Sequence, residues 1–178
     1  NVRDIKVRRC VLWNAEPGNA LEIGYELRCN EVSDVVFEDC DIIHCEYEGN
    51  QSGGVLTIHN ADRAKVHNVR YENIRIEDAQ EKLVDIKILD CKYSLDRVRG
   101  DVENIVFRNI DVTGPLFPVS IIRGFEMTNE MHRPRDIRFE NVTVQGRTMH
   151  SANEMRMVFE LAHELQFEGR VTLEKPEY

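Results

Sequence analysis

One eleven-residue template recurs along the chain, and it restricts the possible folds more than any other feature. It reads apolar-x-x-apolar-x-apolar-x-x-apolar-x-apolar. The copies are Val2–Leu12, Val32–Ile42, Val66–Ile76, Val102–Val112 and Pro134–Val144, with a weaker sixth beginning at Ala162. Their starts are spaced by 30, 34, 36, 32 and 28 residues. A period in this range marks a chain of stacked units, each too small to bury its own apolar face.

The columns of the template say how the units stack. Its third position holds Asp4, Asp34, Asn68, Asn104, Asp136 and Glu164. Its sixth holds Val7, Phe37, Tyr71, Phe107, Phe139 and Phe167, and its eighth holds Asp39, Asn73, Asn109 and Asn141. Asn and Asp tolerate the left-handed backbone and bond to nearby backbone groups, so these columns predict bends. Stacked aromatics predict a filled core column. A second apolar run lies between consecutive copies: Leu21–Tyr25, Val55–His59, Val84–Ile88, Val119–Arg123 and Met157–Leu161. Most of these alternate apolar with polar, as half-buried strands do.

Each unit therefore supplies at least two strands, and the bend inside the template makes a third. Units of this length stacked in register form an all-β, right-handed parallel β-helix of about five to six coils. The whole chain, 1–178, reads as a single such domain, the C-terminal part of a longer β-helix. Two rivals share some of the pattern. A leucine-rich repeat has a similar template, but its period is about 20–29 residues and leucine dominates its columns. A β-sandwich has similar strands without a need for matching columns. Locally, Ser151 and Glu154 resemble a capping box, so 151–165 could form an amphipathic helix, but the sixth repeat in phase behind it favours a final strand.

Composition narrows the function classes. The chain has 178 residues and a formal charge of −9, which argues against a general nucleic-acid binder. No apolar run approaches the ~18 residues of a membrane span, so no membrane partner is expected. The five cysteines form no Cys-x-x-Cys pair, and the Asp39, Asp41 and His44 cluster is explained mostly by the template. No metal site and no cofactor are expected.

The units "VENIVFRNIDVTG" and "PRDIRFENVTVQG", with "GNALEIGYELRCNEVSDVVFEDCDI", resemble the pectin-lyase-like superfamily of right-handed parallel β-helices. Within it the chain is most similar to the polygalacturonase-like glycoside hydrolases (glycoside hydrolase family 28 and its relatives). The segment at Gly18 resembles that family's Gly-His-Gly-x-x-Ile-Gly-Ser-Glu stretch. The resemblance implies a secreted protein, extracellular or periplasmic, that acts on a polysaccharide or oligosaccharide. The family's catalytic histidine falls at Asn19, which cannot serve as a general base. Its paired aspartates belong to a coil before Asn1. Its Arg-x-Lys motif falls where this chain reads "TIHN".

Strand alternation locates a candidate groove. With Leu21, Ile23, Leu56, Ile58, Val84, Ile86 and Ile88 pointing in, Glu22, Thr57 and Asp85 form one outward column. Gly24, His59 and Lys87 form the next. Glu22 and Asp85, two rungs apart at about 4.8 Å per rung, have backbones ~9–10 Å apart, which makes the ~6.5–9.5 Å carboxyl spacing of inverting glycosidases geometrically possible. Glu22, Asp85 and His59 are thus the candidate catalytic residues, His59 because its ring titrates near neutrality. Trp13, Glu16, Asn19, Asp62, Lys87 and Arg123 are the candidate substrate-binding residues: Trp13 as a stacking platform beside a Pro-Gly turn, Asp62 on a loop at the scaffold edge, Lys87 and Arg123 as partners for sugar hydroxyls or a carboxylate. Each of them also reads as an ordinary solvated or packed side chain.

Two functions follow. One is the core of a polysaccharide-degrading glycoside hydrolase. The other is a non-catalytic carbohydrate-binding module or inactive relative. A structural β-helix whose open first coil pairs with an upstream segment or another chain is a third possibility, because an uncovered strand edge invites addition.

Overall fold

The computed structural model describes residues 1–15, 18–46, 53–167 and 170–172. Among these the strands are, in chain order, β1 (Val2–Arg8), β2 (Val11–Asn14), β3 (Leu21–Tyr25), β4 (Glu31–Cys45), β5 (Gly54–Asn60), β6 (Lys65–Ile76), β7 (Lys82–Ile88), β8 (Val102–Val112), β9 (Ser120–Arg123), β10 (Phe125–Met127), β11 (Glu130–His132), β12 (Arg135–Val144), β13 (Arg147–Thr148), β14 (Met157–Glu160), β15 (His163–Phe167) and β16 (Arg170–Thr172). The template copies become the long sheet, in the order β1-β4-β6-β8-β12-β15-β16, with β2 on β4 and β13 on β12. The intervening runs become a five-stranded sheet, β14-β9-β7-β5-β3. Stacking within each is parallel, rung upon rung, apart from β13 and β16. The architecture is a parallel β-helix.

The register matches the template position for position. Val32 pairs with Val66 and Val66 with Val102; Phe37 pairs with Tyr71 and Tyr71 with Phe107. The two Asn/Asp columns are bends within single long strands, with positive φ at Asp34 (56°), Asp39 (54°), Asn68 (56°), Asn73 (56°), Asn104 (53°) and Asn109 (53°). A left-handed residue costs most side chains roughly 1–2 kcal/mol, and Asn and Asp are the usual exceptions. Here they also bond to one another from rung to rung. Asn68 Nδ2 donates to Asp34 Oδ1 (3.0 Å) and Asn104 Nδ2 to Asn68 Oδ1 (2.7 Å). Asn73 donates to Asp39 (2.9 Å), Asn109 to Asn73 (2.8 Å) and Asn141 to Asn109 (2.9 Å).

Inside, Phe37, Tyr71, Phe107, Phe139 and Phe167 form a continuous stack, with ring centroids 4.8, 5.0, 5.0 and 4.9 Å apart. These spacings equal the rung repeat, so the ladder follows from the register alone. Aliphatic columns from both sheets fill the remaining core.

The solenoid has about 4 turns, fewer than the five to six coils expected from the template count. A turn needs a long and a short strand stacked on both sides. Four parallel pairings join the short sheet, from β3–β5 to β9–β14. The outermost template copies are end rungs: Val2 and Ile5 of β1, inward by pattern, remain 43% and 41% exposed. The segment 151–156 forms turns and leads into β14 instead of a helix. Its capping contacts do form, with Glu154 N–H donating to Ser151 Oγ and His150 N–H to Glu154 Oε2.

Candidate functional site

The outward columns of the short sheet stand as the alternation predicts. Glu22 pairs with Thr57, Thr57 with Asp85, and Asp85 with Ile121. Gly24 pairs with His59, His59 with Lys87, and Lys87 with Arg123. Leu21, Ile23, Leu56, Ile58, Val84, Ile86 and Ile88 lie on the buried core side. The alternation does not reveal that Thr57, His59 and Asp85 are themselves fully enclosed, each at 0% exposure. The face opens toward its two ends: the Glu22 side chain is 27% accessible at one, and Arg123 is exposed at the other.

His59 binds the column together. Its Nε2 lies 2.9 Å from Asp85 Oδ2, and its Nδ1 lies 3.5 Å from Glu22 Oε1. The first is a hydrogen bond; the second is a looser polar contact. With Nε2–H donated to Asp85, Nδ1 is the nitrogen that faces Glu22. The imidazole therefore fills the space between the two carboxylates, where an inverting glycosidase keeps its water. Two glycines let the neighbouring strands of the column approach this closely. A Cβ on Gly24 would sit 2.7 Å from the His59 carbonyl oxygen, and one on Gly54 would sit 2.7 Å from Asp85 Cβ.

Asp85 is the electrostatic centre. Besides His59, its Oδ2 meets Lys87 Nζ at 3.0 Å and Lys82 Nζ at 3.2 Å. A buried carboxylate needs such partners, because an isolated buried charge costs several kcal/mol. Lys82 is itself 1% exposed, with Glu81 Oε2 4.0 Å away. Burial pulls the Lys82 ammonium below its ordinary pKa, while Asp85 pushes back. At Glu22, burial raises the pKa, but contact with His59 and Asn19 outweighs it, and the carboxyl is held below its ordinary value. Glu22 is thus ionised at neutral pH.

The remaining sequence candidates fall in different places. Asn19 closes the head of the column, its Oδ1 accepting Gly54 N–H (2.6 Å) and Thr57 Oγ1–H (3.3 Å). Lys87 joins the site through Asp85. Trp13 lies on β2 of the long sheet, 69% exposed and stacked on His44 at 4.9 Å. Below it His44 Nδ1 meets Asp78 Oδ2 at 2.7 Å. Asp62 does not face solvent: it is fully buried, and its Oδ1 accepts the N–H groups of Leu95 and Asp96, both at 2.8 Å. Arg123 pairs with Glu160 at 2.9 Å on an open surface. Glu16 lies outside the described residues.

Two site residues are missing from the sequence reading. Lys82 shares the parity of Val84 and Ile86, so alternation puts it in the core; a lysine there was itself a sign of a buried charge. Tyr25 has the inward parity of Leu21 and Ile23, yet its ring packs on His59 with centroids 4.6 Å apart. Both stand at strand ends, where strict alternation lapses.

No protein-family model, no curated protein and no solved structure matches this chain.

Proposed function

We propose that the chain is a carbohydrate-active β-helix, the core of a polysaccharide-degrading glycoside hydrolase of the polygalacturonase-like kind, acting outside the cytoplasm. One observation carries this reading. An accessible, ionised carboxylate, Glu22, is backed by a fully enclosed His59–Asp85 pair and two lysines. A carboxylate ionised at neutral pH suits a base or a nucleophile, the two tasks a glycosidase assigns to one member of its pair. Glu22 is the member of the trio that a glycan would touch. His59 and Asp85 act through it, holding its orientation and charge, and are positioning residues. Asn19, in the place of the related hydrolases' histidine, orders the column instead of moving a proton.

A second reading, a non-catalytic carbohydrate-binding module, draws on a different observation. Asp85 is enclosed and the imidazole separates it from Glu22, so the two carboxylates do not flank an open space. A reducing-end assay on a polysaccharide panel, run beside binding by calorimetry, distinguishes the two. Turnover lost in Glu22→Gln with binding retained is the expected result for the hydrolase. Binding without any release of reducing ends selects the binding module. Neither binding nor turnover sinks both.

A further inference from the structure

The ninth position of the template runs Cys10, Cys40, Ile74, Ile110 and Val142. It is an inward column with an unbroken register: Cys40 pairs with Ile74, Ile74 with Ile110 and Ile110 with Val142. At the first step Arg8 pairs with Glu38 and Val11 with Asp41, which sets Cys10 directly on Cys40. The Asp41 N–H donates to the Cys10 carbonyl at 2.9 Å. The two thiols take the same orientation. Cys10 Sγ lies 3.5 Å from the Arg8 carbonyl oxygen, and Cys40 Sγ lies 3.3 Å from that of Glu38. Packing alone does not call for sulfur here, since a free cysteine packs as a small hydrophobe and the next two rungs fill the position with isoleucine.

The stacking brings the two within reach of a bond. Successive rungs stand about 4.8 Å apart, inside the ~4.4–6.8 Å Cα separation of disulfides. Parallel strands aim both Cβ atoms the same way, so these too are about one rung apart, a little beyond the usual ~3.5–4.5 Å. The remaining gap falls where the stack can close it. Among the described residues β1 and β2 are held on one side only, by β4, and inward-facing Val2 and Ile5 remain exposed. An end rung can shift toward its neighbour without breaking ladder bonds on a far side. The cysteines also bracket more than one rung. The segment 10–40 contains β2, Asn19 and all of β3, with Glu22 and Tyr25. A bond between its ends makes a covalent ring of the coil that carries the Glu22 end of the site.

We propose that Cys10 and Cys40 form a reversible rung-to-rung disulfide, a redox-sensitive clasp on the coil that carries Glu22. The oxidant is a low-molecular-weight disulfide of the glutathione class. Cys10, half-buried on the end rung, is the thiol it reaches, while Cys40 is 1% exposed. The Cys10 thiolate attacks one sulfur of oxidised glutathione, forming a mixed disulfide and releasing one glutathione thiolate. The Cys40 thiolate then attacks Cys10 Sγ, forming the clasp and releasing the second. Two cysteine thiols are oxidised, one glutathione disulfide is reduced to two glutathiones, and the two thiol protons pass to them. Burial pushes the Cys40 thiol above its ordinary pKa, which makes the second attack the slow step. The clasp stands or falls independently of the carbohydrate reading.

The test uses the whole chain, fully reduced and then equilibrated with oxidised glutathione under native conditions. After iodoacetamide has blocked the remaining thiols, peptide mass mapping without reductant should find the Cys10 and Cys40 peptides linked, and reductant should separate them. Amide hydrogen exchange across 2–14 should slow about tenfold in the oxidised chain. Cys10→Ser, a change at a half-buried atom, should show no such slowing. Alkylation of both Cys10 and Cys40 after equilibration overturns the proposal. So does a glutathione adduct at Cys10 that never resolves, or a bond from either cysteine to Cys29, Cys45, Cys91 or a second chain. A Cys10–Cys40 bond that leaves exchange across 2–14 unchanged overturns its role as a clasp.

Discussion

The long sheet and the short sheet are built by the same rule, in-register stacking of equivalent positions, and they use it in opposite ways. In the long sheet a column repeats one residue type: aromatic on aromatic inside, Asn on Asn or Asp at the bends. Each residue there is satisfied by a copy of itself one rung away. In the short sheet the outward columns change at every rung, from Glu22 to Thr57 to Asp85 and from Gly24 to His59 to Lys87. Each residue there needs a particular different neighbour. A uniform column is a structural device and tolerates defects locally. A varied column is a site, in which one loss strands several partners.

Four experiments test that contrast, in descending order of expected effect. Asp85→Ala removes the acceptor shared by His59, Lys82 and Lys87 and should cost about 3–5 kcal/mol by chemical denaturation; Asp85→Asn, which keeps an acceptor oxygen, should cost less. Gly24→Ala forces a methyl against the His59 carbonyl and should cost about 1–3 kcal/mol, whereas Gly146→Ala, with open space at its Cβ, should cost only the roughly 1 kcal/mol of a left-handed alanine at φ 75° and leave the trio undisturbed. In the uniform column, Asn104→Ala loses ladder bonds at a left-handed residue and should cost about 1–2 kcal/mol. Asn104→Gly, free of the Cβ penalty, should recover part of that. Equal costs for Asn104→Ala and Asp85→Ala would erase the distinction between the two kinds of column.

The smallest effect is a pH dependence. The folded state holds the Glu22 carboxyl below its ordinary value of 4.5. Its contribution to stability is therefore complete above that value and is lost as pH falls through the lower folded value. Acid unfolding curves of the wild type and Glu22→Gln should converge at low pH and be fully separated by about pH 4.5, with the wild type the more stable. Curves that stay parallel throughout would mean that His59 and Asn19 do not hold this carboxyl.

Much of this was legible in the residues. The aromatic column from Phe37 to Phe167, the bends at Asn68 and Asn73, and the column that runs from Glu22 through Thr57 to Asp85 all follow from the repeat. Period-2 alternation states which face a side chain takes, and a repeat states which residues share a rung. The coil count was overestimated because a template copy at an end is a strand without a complete turn around it. Trp13 and Glu22 lie close in sequence, but the chain passes from the long sheet to the short one between them, so Trp13 stacks on His44.

Sequence alone therefore determined the stacking, the register and the membership of each column, because these depend on local alternation and on a repeated spacing. Tertiary structure alone decided that the middle of the outward column is enclosed. It decided that His59 stands between Glu22 and Asp85, that Lys82 turns toward Asp85 against its parity, and that Asp62 works beneath a loop instead of on it. The physical reason is the same in each case. Alternation encodes the face on which a side chain lies. Whether that face is covered, and which charge answers a buried charge, depends on segments roughly 30 residues away whose approach no local pattern records.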